Sequence, residues 1–195
     1  ISKIERPEAI ARFDGILART DGVMVARGDL GVEIPFQQVP VLQKMIVKKS
    51  NAKSKPVIVA TEMLNSMIDH PKATRAEVTD IANAIFDGAD AVMLSGETAF
   101  GKYPLQAVEV MSKIIEEAEQ HIPRRVDRDP PTIPAPFQEI SAGIACRAAR
   151  ETASKYIVCF TLTGTTARQL SAYRPTVPII AFSPNEEIRR KLGLL

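Results

Sequence analysis

Tryptophan is absent from this chain, and cysteine and histidine occur only twice each in 195 residues. The first absence excludes an indole-based site. Cys146 and Cys159 fall in a helix-like and a strand-like context. They read as buried, reduced thiols rather than a disulfide framework, the cysteine usage of a cytoplasmic protein. His70 and His121 stand too far apart for zinc-ligand spacing, so neither is assigned a role. No apolar run approaches the ~20 residues that cross a bilayer, and no secretory h-region opens the sequence. An excess of one charge sign is also missing. A formal net charge of +2 gives no reason to invoke nucleic acid or an anionic membrane surface. What the chain does have is 45% hydrophobic residues, enough for a packed core. Ile1–Glu5 reads as a strand already in progress and Leu192–Leu195 has no polar tail, so the chain is read as a piece of a longer protein.

Apolar, β-branched runs at 22–26, 56–61 and 89–94 follow the opening strand. Each is near-continuous, as expected of parallel strands buried on both faces. Helical patterns separate them. Pro7–Arg19 carries Ile10, Phe13, Ile16 and Leu17, with Pro7 suited to a helix start. Pro40–Lys53 carries Val41, Leu42, Met45 and Ile46, then a basic last turn. Thr74-Arg75-Ala76-Glu77 fits a capping box opening 74–86, and Gly88 fits that helix's end. Leu105–Ile122 carries Val108, Met111, Ile114 and Ile115. This β/α rhythm suits a four-strand open sheet and half of an eight-stranded β/α barrel equally well. Residues 123–136 hold five of the chain's 14 prolines and read as a stiff, exposed linker. A second α/β unit follows, with helices over 138–154, 166–173 and 186–192 and strands over 156–161 and 178–183.

The stretch VMVARGDLGVEIP (23–35) is the most informative. A buried strand stops at Arg27-Gly28-Asp29, which reads as a turn with exposed N–H groups and a projecting carboxylate. In α/β proteins ligands bind beyond the carboxyl ends of strands. Lys3 and Glu5, two apart, share one strand face. They are either a solvated edge or the interior of a barrel. Glu5 and Asp29 end successive strands ~4.8 Å apart. They are either two surface acids or a pair that grips one Mg²⁺ beside an oxyanion. Thr61 ends the third strand, as a helix cap or as a hydroxyl that touches ligand or relays a proton. Ser95, in Ser95-Gly96-Glu97-Thr98, could line the same rim. Thr161–Thr166 (TLTGTT) joins a strand to a helix, as an ordinary cap or as a phosphate cradle. It lacks the Walker A lysine, which excludes an NTPase loop.

ISKIE (1–5), DGVMVARGDLGVEIP (21–35), KPVIVATEML (55–64), residues 70–104 (HPKAT…GKYP) and YRPTVPIIAFS (173–183) together resemble the pyruvate kinase family, in its order and along essentially the whole chain. The resemblance implies an α/β fold: half of a (β/α)8 TIM barrel over 1–122, a linker over 123–136, and a truncated α/β effector-binding domain over 137–195. It implies phosphoryl transfer from phosphoenolpyruvate to ADP, giving pyruvate and ATP in glycolysis. Lys3 would neutralise charge on the transferring phosphoryl group. Glu5 and Asp29 would hold Mg²⁺ or Mn²⁺. The N–H groups of Gly28 and Asp29 would receive the substrate carboxylate. Thr61 would touch substrate and belong to the proton-delivery path, through a hydroxyl-and-water relay.

The same resemblance places a phosphorylated effector on Thr161, Thr163, Gly164, Thr165 and Thr166. Leu162 and Thr165 stand where some fructose-bisphosphate-regulated members have basic residues, and Glu62 and Phe100 where many relatives carry Gln and Lys. The K⁺ ligands, much of the nucleotide site and the lid belong to barrel strands absent from this chain. A cytoplasmic homotetramer is implied for the full-length protein, and no activity for the 195-residue chain alone. A sugar-phosphate-sensing module without catalysis is the rival from another class. A barrel lyase or aldolase using Mg²⁺ is the other enzymatic rival.

Overall fold

A computed structural model describes residues 1–122 and 136–194, so the linker expected over 123–136 lies outside the described residues except for Pro136. The chain divides into two compact units, Ile1–Ile122 and Pro123–Leu195.

The first unit runs β1 (Ser2–Ile4), α1 (Pro7–Ala11), α2 (Phe13–Arg19), β2 (Val23–Ala26), α3 (Arg27–Glu33), α4 (Val39–Ala52), β3 (Val57–Ala60), α5 (Arg75–Asp87), β4 (Ala91–Met93), α6 (Gly96–Ala99) and α7 (Pro104–Gln120). Short 3-10 turns at Phe36–Gln38 and Asn65–Ile68 precede α4 and follow β3. The strands form one parallel sheet in the order β1-β2-β3-β4, each beside its predecessor in sequence. Register sets the two faces. Ile4 pairs with Val25 and Val25 with Val59, and all three are fully buried among helix residues such as Phe13, Ile46 and Ile81. Burying each such side chain contributes about 1.5–3 kcal/mol. Lys3, Met24 and Ile58 register on the opposite face, where a charged side chain is tolerated.

Three local expectations need correction. The helix expected over 7–19 breaks at Arg12, which leaves helical conformation. The break lets α2 bury Phe13 and Leu17 while α1 buries nothing. Arg27-Gly28-Asp29 is not a turn; α3 begins there, directly off the strand end. In α4 the buried stripe is Gln43, Ile46, Val47 and Ser50, and Val41 is 67% exposed. Val108 of α7 is likewise outward, at 52%. The capping box forms as expected: Thr74 Oγ1 accepts from the Glu77 N–H while the Glu77 carboxylate accepts from the Thr74 N–H. Gly88 ends α5 at φ +98°, a left-handed position that suits glycine.

The second unit runs α8 (Phe137–Glu151), β5 (Ile157–Phe160), α9 (Thr165–Ala172), β6 (Ile179–Phe182) and α10 (Glu186–Leu192). β5 and β6 pair in parallel. Ile157 and Cys159 face a small core with Cys146 and Leu170. Phe160 and Phe182 lie on the other face, exposed, with ring centroids 5.4 Å apart.

Candidate active site

The ends of β1, β2 and β3 bring four of the expected residues to one rim. Lys3 lies on β1 and Glu5 just beyond it; Asp29 lies in the first turn of α3, and Thr61 follows β3. Lys3 Nζ stands 2.6 Å from Glu5 Oε2 and 3.4 Å from Asp29 Oδ2. The two carboxylates therefore reach a common point, and a cation already sits between them. The Glu5 carboxylate, then that of Asp29, push the Lys3 ammonium above its ordinary pKa of 10.5. At neutral pH it is a fixed positive charge.

Glu5 Oε2 is sealed from solvent and receives no well-directed hydrogen bond; only the ammonium charge compensates it. A carboxylate oxygen short of a donor and convergent with a second carboxylate fits a hard divalent cation. Magnesium takes one or two carboxylates and completes its shell with water and substrate oxygens. Among the described residues no group of three or more His, Cys, Asp and Glu could hold a metal ion.

The Gly28 N–H donates to Thr61 Oγ1 at 2.7 Å, and Thr61 Oγ1 lies 2.6 Å from the Ala60 carbonyl, to which it donates. A Cβ built on Gly28 would lie 3.4 Å from Thr61 Oγ1, an ordinary van der Waals contact, so the approach alone does not demand glycine here. The backbone at Thr61 is strained. Thr61 (φ +70°) and Glu62 (φ +55°) are successive non-glycine residues in the left-handed region, each costing about 1–3 kcal/mol.

Two buried charges that the sequence reading left without a role frame this rim. Arg27, 8% exposed, donates to Asp80 on α5, to Gln43 on α4 and to the carbonyls of Thr61 and Glu62. Glu97, 2% exposed, accepts from the N–H groups of Leu64 (2.9 Å) and Ser95 (2.7 Å). It ties the loop after β3 to the end of β4. Ser95 itself is half-buried there. The available signal was a charged residue at or just beyond the end of an apolar run; all partners named here except Ser95 are distant in sequence. His70 and His121 are exposed.

In the second unit, considered by itself, the 161–166 loop joins β5 to α9. Thr161 is buried, and its Oγ1 accepts from the Gly164 N–H at 2.9 Å, closing the turn around Gly164 at φ +81°. The Thr163 and Thr165 hydroxyls are exposed and 2.9 Å apart. Thr166 lies half-buried in the first turn of α9. Arg168, also without an expected role, places its guanidinium 3.4 Å from Thr165 Oγ1.

Comparison with known proteins gives the following. The family model "Pyruvate kinase, barrel domain" matches residues 1–108, and "Pyruvate kinase, alpha/beta domain" matches residues 139–195. The chain is 52% identical over 200 residues to a pyruvate kinase of Clostridium acetobutylicum, covering 99% of this chain and 41% of that protein. It is 49% identical to a pyruvate kinase of Thermotoga maritima, with 100% and 41% covered. A crystal structure of a pyruvate kinase from Cryptosporidium parvum superposes with a TM-score of 0.93 at 45% identity, covering 99% of this chain and 40% of that one. The chain thus spans about two fifths of the length of the relatives it matches.

Proposed function

This chain belongs to the pyruvate kinase family, and we propose that it carries part of a catalytic site for phosphoryl transfer from phosphoenolpyruvate to ADP. The observation that supports this reading is the convergence of Lys3, Glu5 and Asp29 at adjacent strand ends. Phosphoryl transfer depends on positioning and on stabilising charge spread over phosphoryl oxygens. Lys3 places a permanent cation there. Glu5 and Asp29 would hold Mg²⁺ or Mn²⁺, which when bound supplies further positive charge against substrate oxygens. Gly28 and Asp29 present backbone N–H groups to the substrate carboxylate, which takes over the bond that Gly28 now gives Thr61. That frees a lone pair on Thr61 Oγ1, which accepts a proton from water while its own O–H turns from the Ala60 carbonyl and gives its proton to the enolate carbon.

The remaining parts of the reading belong to the longer protein. K⁺ and nucleotide ligands lie in barrel strands outside this chain, so the 195 residues alone are inactive. The full-length protein is a cytoplasmic homotetramer. A phosphorylated effector meets Thr161, Thr163, Gly164, Thr165 and Thr166 in the second unit, with Arg168 as an added cation. Titration with sugar phosphates against Thr163→Ala tests that site. Phosphate binding with no response to Mg²⁺ would favour a sensor over an enzyme.

The decisive experiment grafts this segment in place of its counterpart in the Clostridium acetobutylicum relative. Lys3→Met in that chimera should lose most of kcat while Mn²⁺ binding, read by electron paramagnetic resonance, survives. Equal loss of both would refute the role given to Lys3. No turnover by the unmodified chimera, with the parent active, would refute the reading as a whole.

A further inference from the structure

We propose that Arg27 is a positioning residue for this site: anchored on α4 and α5, it clamps the strained backbone at 61–62 and so sets the Thr61 hydroxyl against the Gly28 N–H. The inference rests on the reading of Thr61 as a substrate-contacting hydroxyl.

Arg27 directly precedes Gly28 at the end of β2. One arm of its guanidinium, Nη1, donates to Asp80 Oδ2 at 2.5 Å and to Gln43 Oε1 at 3.4 Å. The other arm, Nη2, donates to the Thr61 carbonyl at 2.7 Å and the Glu62 carbonyl at 3.3 Å. Nε finds no partner among the described residues. A buried ion pair is a poor device for stability, since apolar residues of similar volume often do as well or better. What this guanidinium does supply is geometry. Its planar fork holds the Asp80 carboxylate on one arm and both carbonyls of the left-handed pair on the other.

Glycine would adopt that backbone without help. A threonine at 61 cannot be exchanged for glycine without losing the hydroxyl, so the conformation must be imposed from outside. Arg27 imposes it. Because Arg27 and Gly28 are consecutive, one short segment places both the clamp and the donor that meets Thr61 Oγ1. Asp80 lies on α5, 53 residues away in sequence, so the clamp ties Thr61 to a helix outside the rim.

The test uses the chimera for kinetics and the 195-residue chain for amide exchange. Arg27→Lys keeps a charge for Asp80 but removes the fork. It should lower kcat about 10²-fold, the scale of a 1 Å misplacement, with KM for ADP unchanged. Adding Glu62→Gly should recover part of kcat, because glycine adopts the left-handed backbone unaided. In the chain itself, Arg27→Lys should speed exchange of the Gly28 amide about tenfold or more. Where Arg27→Lys fails to fold, Asp80→Asn carries the same readouts with smaller effects. Wild-type kcat in an active chimera would overturn the clamp and leave the proposed function standing. An inactive unmodified chimera would overturn the proposed function, and the clamp would then stand or fall on the Gly28 amide. Unchanged exchange there overturns it.

Discussion

Replacing Glu97 by alanine strands two donors, one buried and one half-buried. The Leu64 N–H loses its acceptor at 2.9 Å and the Ser95 N–H loses its own at 2.7 Å. Glu97 is 2% exposed, so water does not reach the Leu64 donor without a local opening. An unsatisfied buried donor costs about 1–3 kcal/mol, which is the expected loss at Leu64, with a smaller addition from the half-buried Ser95 donor. Glu97→Gln keeps one acceptor oxygen and should cost roughly half as much. Urea unfolding followed by far-UV circular dichroism measures the loss, with the slope unchanged if only stability moves. Site-resolved amide exchange assigns it to the first unit. The amides of Leu64 and Ser95 should lose protection together, although they follow different strands. A cost below about 1 kcal/mol, or an unchanged Leu64 amide, would refute the claim that this carboxylate ties β3 to β4.

Three other outcomes follow from the same structure. Gly88→Ala puts a Cβ 2.7 Å from Asn51 Nδ2 at φ +98°; about 1–2 kcal/mol should be lost in urea unfolding, and an unshifted midpoint would count against the left-handed cap. At Glu77, burial alone raises the carboxyl, but hydrogen bonds from Ser66 and Thr74 outweigh it and hold the pKa below 4.5. Its stabilising effect is therefore present above the ordinary carboxylate range and lost as pH falls through the lowered folded value; Glu77→Gln should destabilise at neutral pH and flatten the acid limb of the stability profile. Burial pushes the Cys146 thiol up to about 11 and raises Cys159 as well, so neither should react with a disulfide reagent at about pH 7.5 until urea opens the second unit.

Local rules carried much of the fold. The near-continuous apolar runs located three of the four strands of the first sheet, because strands buried against helices leave no alternation. The Thr74–Glu77 box and Gly88 were legible because a cap lies within a few residues of what it caps. Spacing of two placed Lys3 and Glu5 on one face, and the structure brings them together with Asp29. The failures have a common origin. The inward stripe of α4 includes Gln43 and Ser50, which hydrophobic periodicity counts as outward. Gln43 is held inside by Arg27 and Asp87, and Ser50 by the Ile46 carbonyl. Arg27 and Glu97 went unassigned for the same reason. Apart from Ser95, two residues from Glu97, the partners cited for them lie 16 to 53 residues away, and only the assembled sheet brings them close. Two glycines made 27–31 look like a turn, although tertiary packing holds this stretch as helix.

The left-handed pair at 61–62 has a practical consequence for anyone who evolves this protein for heat tolerance. Substituting glycine there would relieve conformational tension and raise the melting temperature. A screen that rewards robustness alone would therefore select against the very contortion that aims a hydroxyl at its target. Libraries built on this segment should hold those two codons fixed, or score turnover alongside survival.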